Sequence, residues 1–154
     1  MAAVLGIDPG CSGSLVLITE QGGYIDHLAM PTIKVGTKSR VNGAAVAAWI
    51  RQYGISHAYL EQVGAMPGQG TASMFTFGHA AGVAEWILQG LNIPYTLVTP
   101  QAWKKSAGLI GSDKDAARSR AIQLYPELRA LDAKAKGQAI ADALLIARHG
   151  IGIK

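Results

Sequence analysis

One cysteine, Cys11, is all the chain has, so it can form no internal disulfide and no cysteine metal cluster. Long apolar runs are missing too. The longest are short and interrupted, far below the roughly 20 residues needed to cross a bilayer, which excludes a helical membrane span. The N-terminus lacks a basic segment followed by a long apolar one, so no signal peptide is expected. No low-complexity tract, internal repeat or linker interrupts the sequence. These absences lead us to expect one cytoplasmic globular domain over residues 1–154, with 49% hydrophobic content to fill its core.

Charge is present but unevenly spread. Residues 1–77 are balanced, and the whole formal excess of +4 lies in residues 78–154. Lys104, Lys105, Lys114, Arg118 and Arg120 fall close together there. Such clusters bind phosphate backbones, although a solvated face of an ordinary protein has the same composition.

The first organising stretch is Gly6-Ile7-Asp8-Pro9-Gly10-Cys11-Ser12-Gly13-Ser14. An apolar run, residues 2–7, enters it and another, residues 15–18, leaves it, which predicts two paired strands with Asp8 at the exit of the first. Asp-Pro-Gly is also a common turn formula, so Asp8 alone carries no chemistry. A third strand is expected over 24–30, then a polar loop bearing Lys34, Lys38 and Arg40. Asn42 should cap a helix running to about Tyr53. Residues 57–61 read as a short buried strand with Glu61 at its exit. A strand that follows a crossover helix usually lies parallel in the same sheet. Beside strand one, it would bring Glu61 to the same edge as Asp8, strands being about 4.8 Å apart.

Further on, 62–71 reads as loop and 72–89 as a long helix whose core face includes Phe75, Ala80, Val83, Ile87 and Leu88. A fifth strand over 94–98 precedes a helix opened by Thr99-Pro100. Ser112 with Asp115 signals, more weakly, a helix over 113–124. Residues 130–137 read as a mobile stretch before a final helix over 138–149. Alternating strands and helices make the class α/β.

That final helix is apolar nearly all round except for Asp142. A buried carboxylate is costly unless it meets a cation, and the alternatives are a wet helix edge or a nearby arginine. Three carboxylates, two at strand exits and one on an apolar helix, suit a hard divalent cation such as magnesium. Two such ions about 4 Å apart can activate water and stabilise a leaving oxygen in phosphodiester hydrolysis.

Several stretches together resemble the RuvC-type Holliday junction resolvases. Gly6-Ile7-Asp8-Pro9-Gly10 with Ser12-Gly13-Ser14 is similar to their opening motif. Tyr59-Leu60-Glu61-Gln62-Val63 followed by residues 65–70 resembles the second motif in its phage and prophage form. Phe75-Thr76-Phe77-Gly78, residues 98–105 and residues 141–147 resemble the same branch. The likeness runs in order along nearly the whole chain. It implies a ribonuclease H-like fold, with a mixed five-stranded sheet flanked by helices, and a homodimer. It also implies cleavage of four-way (Holliday) junctions and related branched DNA with Mg2+ or Mn2+, two ions per site. Asp8, Glu61 and Asp142 would be catalytic metal ligands.

One departure stands out. Resolvases usually carry another acid or a histidine about one turn before the last aspartate, where this chain has Gln138 and Ala139. Gln138, four residues before Asp142 on the same helix face, is the candidate fourth ligand, with Asp132 as an alternative. Lys104, Lys105 and Arg118 are expected on DNA, and Met66 is the candidate for insertion at the junction. Phe75 reads as core, Cys11 as packing, and His27, His57, His79 and His149 as structural. The helix over 72–89, through Met74, Phe77, Val83, Trp86 and the close-approach pair Gly78 and Gly82, is expected at the dimer interface. Three rival readings stay open: an ATP-binding domain of the actin and sugar-kinase kind, a weak or inactive junction binder, and a nuclease acting on RNA–DNA hybrids.

Overall fold

The computed structural model describes residues 2–154. Its sheet is built from β1 (Ala3–Asp8), β2 (Ser14–Thr19), β3 (Tyr24–Ala29), β6 (Ile55–Glu61) and β7 (Tyr95–Val98), in the order β3-β2-β1-β6-β7. The first three form an antiparallel meander, while β6 runs parallel to β1 and β7 parallel to β6. The expected mixed five-stranded sheet is therefore the observed one, with β6 beside β1.

β1 and β2 are apolar on both faces because both faces are covered. Leu5, Ile7, Leu15 and Leu17 pack on α1 (Gly43–Ile50) and α2 (Thr71–Gly90). Val4, Val16 and Ile18 pack instead on α5 (Lys134–Gly150), with α3 (Pro100–Ser106) and α4 (Ala116–Leu124) beyond it. The two-residue period of a strand sorts these sets. It also puts Gly6 on the α5 face, where a Cβ would run into the Ala143 carbonyl oxygen and the Ala147 side chain. Glycine there lets the helix lie close on the strand.

Local chemistry explains most element ends. The Asn42 side chain accepts from Ala45 N at 3.2 Å and caps α1. Thr99 does the same for Ala102 N at 3.2 Å, with Pro100 in the first turn of α3. No described helix is long and apolar enough to cross a membrane.

Four expectations need correction. Residues 31–42 are not a loop: β4 (Thr32–Val35) and β5 (Lys38–Val41) pair as an antiparallel hairpin, with Gly36 at φ +62° in its two-residue turn. α1 ends at Ile50, because Arg51 to Tyr53 turn out of it. α4 starts at Ala116, not at 113; no side chain caps it, and the Asp115 carboxylate pairs with Arg118 instead. α5 starts at Lys134 after a 3-10 turn, Arg129–Asp132, so 130–137 is ordered rather than mobile. Gly137, the last residue of the stretch expected to be mobile, is needed inside α5 because a Cβ there would strike the Leu131 carbonyl.

Candidate active site

The same alternation that buries Val4 and Gly6 against α5 carries Asp8 to that side of the sheet. In β6, Ala58 and Leu60 face the α1–α2 layer and Tyr59 the other, so Glu61 follows Tyr59 toward α5. Ile7 stands opposite Leu60 in the parallel register, one residue before each carboxylate. Asp142 is the one acidic residue in the middle of α5. Two strand exits and one helix thus point three carboxylates at the same end of the sheet.

Their electrostatics show the proximity. Burial pushes the Asp8 carboxyl well above the usual carboxylate range, and the charges of Asp142 and Glu61 push it further. Asp142 is raised to about 7, by burial first and then by Glu61, against smaller opposing effects of Gln138 and Lys104. Burial also raises Glu61, while the Trp103 hydrogen bond and Lys104 pull it down. Glu61 makes ionisation of Asp8 and Asp142 harder and Asp142 that of Asp8, the condition that a divalent cation relieves.

The three are not drawn into one closed ligand set. Among the described residues, no group of three or more His, Cys, Asp and Glu side chains is gathered tightly enough to hold a metal. Like charges repel, and two of the carboxylates are held by neutral donors. Trp103 Nε1–H donates to Glu61 Oε2 at 2.6 Å, and Gln138 Nε2–H donates to Asp142 Oδ1 at 3.0 Å. The expected fourth ligand therefore turns its amide nitrogen, not its oxygen, to Asp142.

Clefts open beside two of the acids. A cleft of about 520 Å³ is lined by Asp8, the turn Pro9 to Gly13, Lys38 and the start of α2 as far as Phe77. Another of about 330 Å³ is lined by Asp142, Gln138, Trp103, Lys104 and residues 109–114.

The remaining expected site residues divide. Lys104 is exposed, sits 5.5 Å over the Trp103 ring and acts on Glu61 and Asp142. Lys105 is exposed on the same helix but lines neither cleft. Met66 is 65% exposed in the connection before α2. Arg118 is not free for DNA: it chelates Asp115 through Nε and Nη2 and gives Nη1 to the Leu131 and Asp132 carbonyls. Phe75, expected in the core, is 63% exposed, with the Arg40 guanidinium 5.3 Å over its ring. Cys11 is half-buried with Sγ 3.6 Å from the Ser39 carbonyl oxygen. His27, His57 and His149 bond Tyr24, Thr96 and Ser106 away from the carboxylates.

Two residues at the site were not singled out by sequence. Trp103, 2% exposed, had a signal in the stretch 98–105, where an aromatic directly precedes two lysines. Lys38 had none, because its place depends on a hairpin that sequence did not disclose.

Comparison with known proteins bears on the fold and the family. The family model described as crossover junction endodeoxyribonuclease RuvC matches residues 4–149. Among solved structures, Thermus thermophilus RuvC in complex with a Holliday junction substrate superposes with a TM-score of 0.64 at 15% identity, covering 97% of this chain and 92% of that one. A second Thermus thermophilus RuvC structure gives 0.56 at 18% identity, covering 96% and 92%. No curated protein sequence matches. The two structures share the fold at low identity, and the family model spans nearly the whole length with the three acids inside it. The chain belongs to the RuvC family of crossover junction endodeoxyribonucleases.

Proposed function

We propose that this junction endonuclease holds its metal on Asp8, Glu61 and Asp142, takes up to two Mg2+ or Mn2+ ions, and cuts four-way and related branched DNA in the cytoplasm as a homodimer. The charge that Glu61 and Asp142 place on Asp8, and Glu61 on Asp142, carries the reading, since all-oxygen donors that raise a neighbour's proton affinity fit a hard divalent cation. Metal bound there would supply an activated water and charge stabilisation at the leaving oxygen. The chain's own residues do the rest. Trp103 fixes the Glu61 carboxylate, Gln138 orients Asp142, and Lys104 sets a positive charge beside both acids where a phosphate backbone would arrive.

The dimer is supported by α2. Trp86 is 73% exposed, Phe75 is exposed, and Gly78 and Gly82 have nothing within 4 Å of where a Cβ would stand. Small residues one turn apart let two helices approach closely. A four-way junction is nearly two-fold symmetric, and two copies of one site supply its two cuts.

The test is a nicking assay on a four-way junction, a linear duplex and an RNA–DNA hybrid with magnesium or manganese, alongside light scattering. Paired nicks confined to the junction are expected, and Asp8→Asn should abolish them while keeping junction binding. Equal cutting of the hybrid would put the substrate class wrong. One observation favours a weaker nuclease: a neutral amide stands where relatives carry an acid or histidine. Gln138→Glu should then lower the metal concentration needed, and an unchanged metal requirement would remove Gln138 from the ligand set.

A further inference from the structure

We infer that the β4–β5 hairpin is a DNA-gripping arm, holding through phosphate contacts the strand that enters the Asp8 cleft. The inference rests on the functional reading above and concerns an element that the reading leaves unused.

Thr32 to Val35 are exposed along their whole length. A bare two-stranded hairpin is marginal in water and needs anchorage. It has that at its base, where Met30 and Val41 are buried and Asn42 N bonds the Pro31 carbonyl at 2.8 Å. The anchoring leaves the hairpin projecting, and its surface carries charge of one sign. Lys34, Lys38 and Arg40 stand on it, and no Asp or Glu occurs between Asp26 and Glu61 in sequence. From Gln62 to Ala84, the stretch leading into and along α2, there is no charged residue at all.

Register shows where the charge points. Val35 pairs with Lys38 and Ile33 with Arg40, so these four share one face of the hairpin. Lys38 lines the Asp8 cleft, and Arg40 lies over the exposed Phe75 ring at the start of α2. The Arg40 Nη1 is buried and has no hydrogen-bond partner among the described residues, so its guanidinium is held there by packing on Phe75. That face therefore continues the wall of the cleft outward, with two cations and the exposed apolar side chains Ile33 and Val35. On the opposite face Lys34 gives Nζ to Ser39 Oγ at 3.2 Å and keeps its charge in solvent. A cation-bearing, acid-free arm beside an acidic cleft is complementary to a polyanion whose scissile phosphate must reach those acids.

The test uses the whole chain in an Asp8→Asn background, which prevents cutting, with junction affinity measured across a series of salt concentrations. Lys38→Ala/Arg40→Ala should bind about 10-fold more weakly at moderate salt, with the slope of log K against log salt shallower by about 2. Lys38→Arg/Arg40→Lys should restore both, which a purely structural role for the two cations would not require. If the parent binds junctions and the double alanine variant equals it in affinity and slope, the arm is refuted and the functional reading stands. If the parent binds no junction, that reading falls and the arm with it.

Discussion

The two long helices of this chain have nearly equal claims to be hydrophobic, yet they are used in opposite ways. α5 buries nine residues, Gly137, Ala139 to Ala141 and Ala143 to Ala147. α2 is three residues longer and buries only Ala80, Ala84 and Leu88, a stripe one residue wide. α5 is enclosed because the sheet lies under it and α3, α4 and the 3-10 turn lie around it. α2 merely rests on the outer layer, leaving Phe75 and Trp86 in solvent. An apolar helix is thus a core element only where something covers its second side. Where nothing in the monomer does, its apolar surface is free for a partner.

The largest break in this contrast is at Asp142. Asp142→Asn should cut cleavage by on the order of 10²–10³-fold, the scale of losing one electrostatic anchor of a transition state. It should also steady the metal-free fold. The Asp142 carboxyl is raised to about 7 in the folded chain against 3.8 ordinarily, so its contribution to stability is complete below about pH 4 and is lost as pH rises through 7. Melting temperatures without divalent cation should fall over that range in the parent and fall less in Asp142→Asn. A steeper loss in the variant would contradict the burial of this acid.

Next is the seat of α5 on β1. Gly6→Ala must push the helix off the strand and should cost about 1–3 kcal/mol by denaturant unfolding, with cleavage reduced as Asp142 moves from Asp8. On α2, by contrast, Gly82→Glu should leave the helical signal intact yet convert the proposed dimer to a monomer in light scattering, with paired nicks replaced by single ones. A dimer that survives the change would move the interface elsewhere. The smallest effect is Gly82→Ala, which meets open space within one chain and, measured at a concentration low enough to keep protomers apart, should stabilise the protomer by about 0.5–1 kcal/mol, opposite in sign to the same change at Gly6.

Much of this was legible in sequence for a physical reason. Asp8 and Glu61 end apolar runs bounded by glycine and proline, and Asp142 interrupts an apolar helix, so burial itself drew the outline of the site. What escaped lay where burial is not the rule. Thr32 to Val41 pairs as a hairpin out in solvent, where Thr32 to Val35 does alternate polar and apolar residues but Lys38-Ser39-Arg40 is polar on both faces and hides the second strand. Phe75 occupies a helical core position by period but lies on the half of α2 that nothing covers. Arg118 belongs to a basic cluster by composition, yet its guanidinium is taken up by Asp115 and two carbonyls, a fact of three-dimensional partners that charge counting misses. Residues 130–137 read as mobile because the reason for a glycine at 137, the Leu131 carbonyl, is supplied by another segment.

The bond from Trp103 to Glu61 also gives the chain an optical property. Its three indoles sit in three different surroundings: Trp103 sealed against a carboxylate, Trp49 buried with its N–H 3.3 Å from Asp26 Oδ2, and Trp86 out on α2 in water. Ultraviolet emission from this protein is therefore the sum of a site signal, a scaffold signal and a surface signal, each separable by replacing one tryptophan with phenylalanine. Any ion that draws Glu61 away from its indole changes the colour of the first, and any second copy that covers α2 changes the colour of the third, so metal loading and self-association can be watched without attaching a dye.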